Sequence, residues 1–562
     1  MAEQGPADPH RWRGLVVISL SVAIIIADAT VVNVAIPTII KDLRITTADA
    51  EWITSVYSLV FAALLITVGR LGDLHGRRRM LFIGITIFVV ASVACALSQN
   101  GPELIAARVG QGVGASMLLP STLSTLNATF TGRDRAVAFA VWGSTIGGMA
   151  AVGPLLGGWL TTTYSWRWIF GINVFVGAVI IAGLFAYVRE TREPATQPGL
   201  DVPGTLLSIV GLGGVVFALI EGQRFGWWSP SARARDDLGW TASVSPVVPV
   251  AVVAVLALAA FTLVERARQR SGRVVILDLA LFAIPSFRNG NIAAAIVSLG
   301  EFGLLFLIPL YLQNILGLTA VRTGVVLLAL AGGSFLAAPA APALTGRLGA
   351  RTVVRIGLVL EIVGILGIAL SAAVPASVWR FVPWLFVYGM GVGMATAQLT
   401  SVILADVPVA KSGQASGTQS TSRQIGSALG VAIIGAVLVT TLSSAATTNL
   451  TEAGVPAAAR TALVDATTSS AGAAVAALRA EQGADAPAVV ALERAYVSST
   501  RTVGLIAAGF LVIGLLASFS LGHGRDPSRG VPVTSAPNAR GETVVPAQEV
   551  GGSDRSAPGV GA

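Results

Sequence analysis

Apolar residues fall in long runs rather than in alternation, with short polar stretches between them. A run of about 20 apolar residues can cross a bilayer as a helix. Such runs occur near 14–37, 52–70, 80–98, 103–126, 136–160, 168–188, 202–221, 245–264, 289–312, 322–344, 352–372, 383–404, 418–440 and 503–521. The pattern predicts an all-α polytopic membrane protein with fourteen spans. Two segments depart from it. Residues 441–500 are rich in Ala, Thr and Ser and are expected to form an outer cap with two weak helices, one over "AAVAALRAEQ". Residues 522–562 are rich in Pro, Gly and Ser and read as a disordered cytoplasmic tail.

An even number of crossings leaves both chain ends on one side. With the N-terminus inside, the short inner loops hold sixteen Lys and Arg residues and the outer loops eight. This asymmetry predicts an N-in, C-in topology. The first run follows Arg11 and Arg13, is too long for a signal-peptide core and has no small-residue cleavage pattern. It is expected to remain as the first span.

The chain also repeats itself. "VGRLGDLHGRRRM" and "LTGRLGARTVVRI" match with Gly346 on Gly69, a shift of 277 (346 − 69). "TGRDRAVAF" and "VAKSGQASG" match with Lys411 on Arg133, a shift of 278 (411 − 133). Both shifts span eight helices, which two six-helix bundles satisfy if helices 7 and 8 are inserted between them. The expected organisation is a first bundle over 1–190, the inserted pair over 200–265, a second bundle over 285–521 and the tail over 522–562. Repeats of this kind place a substrate site near the midplane between the halves.

Polar residues inside the apolar runs are the candidates for chemistry. Asp28 lies in "IIIADATVVNVAIP", where a carboxylate costs at least about 2.5–3.5 kcal/mol on insertion scales. The shift of 277 carries Asp28 to Leu305, with Glu301 one turn earlier. Arg108 cannot shed its proton and must find a carboxylate, a carbonyl or water. Asp28, Arg108 and Glu301 are therefore the expected proton-coupling groups, Arg108 acting on Asp28 directly or through water. Asn33, Tyr57, Gln111, Trp142, Phe302 and Tyr311 are candidates for lining a substrate cavity. Glu361 is expected near the inner edge as a structural or water-facing group, and Glu221 and "RARDD" (233–237) as outer-loop solvation.

Composition narrows the classes. Hydrophobic residues make up 54% and charged residues 12%, against about 25% charged in soluble chains. Mean hydropathy is +0.76. A net charge of +8 would suggest a nucleic-acid partner in a soluble protein, but here it reads as basic inner loops, and none is expected. The single cysteine, Cys95, excludes an internal disulfide. The three histidines lack metal-ligand spacing, and neither Lys41 nor Lys411 follows a phosphate-binding glycine pattern. No cofactor and no metal are expected. A membrane-embedded transferase would need a carboxylate or metal cluster at one bilayer face, so enzymatic activity is not expected either.

Five ordered motifs then point to a family. "GRLGDLHGRRR" (69–79) resembles the loop signature after helix 2 of the major facilitator superfamily, and "IAARVGQGVGAS" (105–116) its helix 4 signature. "GSTIGGMAAVGPLLGG" (143–158) resembles the antiporter signature on helix 5. "ADATVVNVAIP" and "SWRWIFGINV" (165–174) are similar to the fourteen-helix drug:proton antiporters of the EmrB/QacA type. The resemblance implies the major facilitator fold, no bound cofactor, and export of small hydrophobic or cationic compounds in exchange for protons across a bacterial cell membrane. It implies a conformational latch at Gly69, Gly72, Asp73, Gly76, Arg77 and Arg78. It also implies a close-packed seam at Gly148, Gly153, Pro154, Gly157 and Gly158. Small-molecule substrate, protons and the bilayer are the expected partners of a monomeric carrier. Export of a lipid or an endogenous metabolite and pH-insensitive uniport are the alternatives on the same fold.

Overall fold

Each of the fourteen apolar stretches folds as a helix. The computed structural model describes residues 9–191, 199, 201–374 and 377–521, so the tail expected over 522–562 lies outside the described residues. The long helices are α1 (Arg11–Leu43), α2 (Thr47–His75), α3 (Arg77–Leu97), α4 (Gly101–Thr129), α5 (Gly132–Thr163), α6 (Trp168–Tyr187) and α7 (Val202–Phe225). After the short α8 (Ala232–Leu238) come α9 (Val247–Arg270), α10 (Pro285–Leu310), α11 (Ala320–Leu348), α12 (Ala350–Ser371), α13 (Val382–Ile403) and α14 (Ser412–Glu452). Two short helices, α15 (Ala457–Ser469) and α16 (Ala473–Gln482), precede α17 (Pro487–Ser518).

Eleven of these helices are long and apolar enough to cross a membrane, or thirteen if α5 and α11, each bent, count as one span apiece. The long helix left out is α4. Its buried residues include Arg108, Gln111, Asn127 and a series of Ser and Thr, which lower its mean hydropathy. Polar side chains thus sit on protein-facing surfaces, where the bilayer does not penalise them. The segment 441–500 departs from a separate cap, because α14 runs on to Glu452 and α17 already starts at Pro487. Ser498, Ser499 and Thr502 do not break α17, since their hydroxyls bond carbonyls of the preceding turn. Between the two long helices, α16 has the sequence AAVAALRAEQ.

Helix joints follow local chemistry. Thr46 and Asp49 form a capping box at the start of α2, and Thr319 caps α11 through its side chain. Gly76 joins α2 to α3 with φ +104°, and Gly349 joins α11 to α12 with φ +81°, backbone that favours glycine. The motif match had placed Gly349 opposite Gly72; as a helix joint its counterpart is Gly76, because the second-half loop lacks the turn "DLHG". This register changes the partner of Asp28. Asp28 lies 17 residues after the first residue of α1 (28 − 11) and Glu301 lies 16 after the first residue of α10 (301 − 285). Glu301, rather than Leu305, is its counterpart.

Within the first half, α4 packs on α2 and α3, and α1 packs on α5 and α6. In the second, α12 packs on α13 and α17, and α10 on α14 and α17. The halves meet where α5 lies against α11 and α13, and where α14 lies against α2 and α4. The inserted helices α7 and α9 pack on each other, and α7 touches α2 and α14.

Candidate functional site

Asp28 is 1% exposed, and its carboxylate is held by residues from two other helices, α4 and α6. Arg108 Nη1 donates to Oδ2 at 2.5 Å. Gln111 Nε2 donates to Oδ1 at 3.0 Å and Asn173 Nδ2 to the same oxygen at 2.8 Å. The Ser92 hydroxyl accepts from Gln111 at 2.8 Å and from Asn173 at 3.2 Å. Arg108 also donates through Nε to the Ile53 carbonyl at 3.0 Å and through Nη1 to Gln111 Oε1 at 2.8 Å. Its guanidinium carbon lies 4.2 Å from the centroid of the Tyr57 ring, a cation–π contact. Tyr57 in turn donates to the Ile25 carbonyl at 3.3 Å.

The local reason is periodicity. Arg108 and Gln111 are three apart on α4 and share a face, and α1, α3 and α6 bring Asp28, Ser92 and Asn173 to that face. A buried ion pair is tolerated when hydrogen bonds satisfy its remaining donors and acceptors. Here both carboxylate oxygens have partners. Sequence reasoning singled out Asp28 and Arg108 together, expected Gln111 at a substrate cavity instead, and missed Asn173 and Ser92. Only the motif "SWRWIFGINV" carried a signal for Asn173. Asn33, a cavity candidate, is exposed and donates to the Ala29 carbonyl at 3.5 Å.

The second half repeats the theme with different partners. Glu301 Oε2 accepts from Arg423 Nη2 on α14 at 3.1 Å, and Oε1 from the Thr396 hydroxyl on α13 at 2.9 Å. Tyr388 donates to the Glu301 carbonyl at 3.3 Å. Arg423 and Thr396 escaped sequence reasoning, because the cation comes from the helix equivalent to α5 rather than to α4. Glu361 is fully buried on α12, away from water. Glu221, expected in outer solvation, is likewise buried, and it pairs with Arg224 at 3.5 Å.

The aromatic candidates scatter. Tyr57 belongs to the Arg108 cluster, and Phe302 is half-buried on α10 next to Glu301. Trp142 is buried and donates to Thr122 at 3.2 Å. Tyr311 is buried, donates to the Ala373 carbonyl at 2.8 Å and packs on Phe381 and Tyr496. A cavity of about 820 Å³ opens between α2, α7, α10, α14 and α15, with Thr54, Gln223, Arg224, Phe306 and Gly435 on its walls. None of the six expected cavity residues lines it.

The motif over 69–79 joins the halves. Asp73 accepts from the backbone N–H groups of Gly413 at 2.8 Å and Gln414 at 3.0 Å. It thereby caps the positive end of α14. Arg77 donates to Asp73 at 3.3 Å and to the Val409 carbonyl at 2.6 Å. A Cβ on Gly69 would meet the Gly413 carbonyl at 2.3 Å, so the two helices cross there in backbone contact. Gly72 has ordinary room, and Arg78 donates its backbone N–H to Glu190 and its guanidinium to the Phe185 carbonyl. Asn127 adds a bond to Ser412 at 2.7 Å.

Helix α5 is wedged between α1 and α11. A side chain on Gly153 would overlap Thr30, and one on Gly157 would overlap the Val31 carbonyl. On the other flank, Gly148 faces the Phe335 ring and Gly158 faces Val321. Pro154 lacks an N–H, and the two parts of α5 meet at 43° just before it.

Comparison with known proteins agrees with this architecture. The family model described as Major Facilitator Superfamily matches residues 18–431. The puromycin resistance protein pur8 of Streptomyces alboniger is 33% identical, over 77% of this chain and 83% of its own length. The multidrug efflux pump LfrA of Mycolicibacterium smegmatis is 33% identical, over 76% of this chain and 80% of its own. Among solved structures, the human organic anion transporter MFSD10 has a TM-score of 0.54 at 12% identity, over 90% of this chain and 99% of that one. Its helices, its joined halves and these matches together make the chain a member of the Major Facilitator Superfamily, a bacterial membrane transporter with drug- and antibiotic-resistance relatives.

Proposed function

We propose that the chain exports small hydrophobic or cationic compounds from bacterial cells in exchange for protons, by alternating access through fourteen spans with both ends in the cytoplasm. The observation that carries this reading is the carboxylate of Asp28, buried mid-helix and bound to a guanidinium that cannot lose its own proton. While Asp28 is ionised the pair is neutral overall. Protonation leaves Arg108 as an uncompensated charge in an apolar interior, and that state favours a different packing of the halves. The proton taken up outside releases the substrate, and the proton given up inside resets the carrier. Closure of the 69–79 end by Asp73 and Gly69, on the side read as cytoplasmic, supports a conformation that does not open inward.

The driving force suffices. One charge moved through 100 mV supplies about 2.3 kcal/mol, and one pH unit adds about 1.36 kcal/mol. Together, roughly 3.7 kcal/mol per net proton supports a gradient of about 500-fold. The test is ethidium transport in proteoliposomes under an imposed pH gradient. Asp28→Asn is expected to abolish gradient-driven transport in a protein that still folds; retained pH-driven transport overturns the assignment.

A further inference from the structure

Among the described residues of the second half three glutamates are buried; Glu493 pairs with Arg479, which leaves Glu301 and Glu361 with the Arg423 guanidinium. Glu301 takes Arg423 Nη2 and the Thr396 hydroxyl. Glu361, on α12, is fully buried, and neither of its carboxylate oxygens has a hydrogen-bond partner among the described residues. Arg423 has a buried nitrogen to spare, since Nη1 is also without a partner among the described residues. Both acids border α13, Glu361 at Gly391 and Glu301 at Thr396, and Arg423, bound to Glu301, is within electrostatic reach of Glu361. Tyr388 of α13 completes the surroundings, bound to the Glu301 carbonyl. The other helices packed on α12 bring charge only near its ends, Arg347 at the close of α11 and Arg501 of α17 at the Ala372 carbonyl.

An ionised carboxylate with no partner in an apolar interior is far more costly than the neutral acid. We propose that Glu361 is a second proton-binding carboxylate of this transporter, sharing the single Arg423 guanidinium with Glu301. One cation balances one anion, so the pair carries one proton on whichever carboxyl Arg423 does not hold. In this arrangement the proton sits on Glu361. When Arg423 swings from Glu301 to Glu361, the O–H bond at Glu361 breaks, its proton leaves, and Glu301 takes one up. The net charge of the trio remains zero throughout. This site rests on the proposal of proton exchange for its role in transport, but not for its existence.

Infrared difference spectroscopy of the purified protein reads the carbonyl stretch of a buried, protonated carboxyl directly. At neutral pH the wild type is expected to show such a band, and Glu361→Gln to lose it. Glu301→Gln tests the sharing in a protein that keeps Glu361: freed Arg423 turns to Glu361, which ionises, and the band again disappears. A band unchanged in Glu361→Gln, or one that survives in Glu301→Gln, overturns the shared site. The transport role is read as protons moved per ethidium, from the potential at which net flux stops. Glu361→Gln is expected to lower that ratio by one while the dye still follows the pH gradient. An unaltered ratio overturns coupling through Glu361. If the wild type ignores the gradient, proton exchange itself fails, while the infrared result stands or falls alone.

Discussion

At the scale of single residues, charge placement separates the site from the periphery. Arg108 meets Asp28, Gln111 and Ile53 in a fork that a lysine ammonium cannot reproduce. Arg108→Lys is therefore expected to keep the fold but to lower gradient-driven ethidium transport at least tenfold. Asn173→Ala removes one neutral donor to Asp28. Losing such a bond costs about 1–3 kcal/mol, and its expected effect is a displaced pH–transport profile rather than loss of transport. At the opposite end of α1 from Arg11, Asp42 accepts from Arg167 at 2.5 Å and from Trp166 at 2.8 Å. Those bonds hold its carboxyl below the usual carboxylate range. Its contribution to stability is accordingly present above the unfolded carboxylate pKa and is lost as pH falls through the folded one. Asp42→Asn should flatten the acid side of the thermal-stability profile, an effect weakened by salt because the pair is partly exposed.

Much of this was legible before any coordinates. Asp28 and Arg108 announced themselves because charge inside an apolar run is rare and needs a partner. Asn173, Ser92 and Thr396 did not, because small polar residues are tolerated in membrane helices and carry no periodic signal. Glu361 was misplaced for another reason: its position along α12 is readable, but which neighbours enclose it is a property of packing.

At the scale of helices, the glycine pattern of α5 translates into contacts on both flanks. Gly153 and Gly157 touch α1, which carries Asp28, while Gly148 and Gly158 touch α11 across the boundary between halves. Gly153→Val should force α1 away from α5 and abolish transport while the purified protein stays monodisperse; normal transport in that variant would show that the approach is not needed. The register of the repeat also becomes clear only here. The loop motif survives in both halves but has lost one turn in the second, so matching loops misaligns the first helices by four positions. The spans themselves were easy to find, since lipid selects for long apolar runs. The exception, α4, is the helix whose face is spent on the site.

For the whole molecule, the closed end is held by bonds between helices of different halves. Asp73 on the end of α14, Gly69 against Gly413 and Asn127 to Ser412 must all part for that end to open. Oxidising the pair Asn127→Cys and Ser412→Cys should therefore stop ethidium transport, and reduction should restore it. Transport that continues with the bridge formed would mean that this contact never separates. Asp73→Asn weakens the same clasp without covalent chemistry, since a neutral amide caps α14 less strongly than a carboxylate. It should shift the population toward the opposite opening, read by distance measurements between labels on the two halves.

The sole cysteine supplies a reporter that needs no engineering. Cys95 is buried, and its thiol donates to Gln111 Oε1 at 3.3 Å, one residue removed from the Asp28 carboxylate. A maleimide reagent added to the native carrier would then act as a stopwatch for unpacking around Gln111. Slow alkylation at rest, quickened by acid or by dye, would time that opening in unmodified protein.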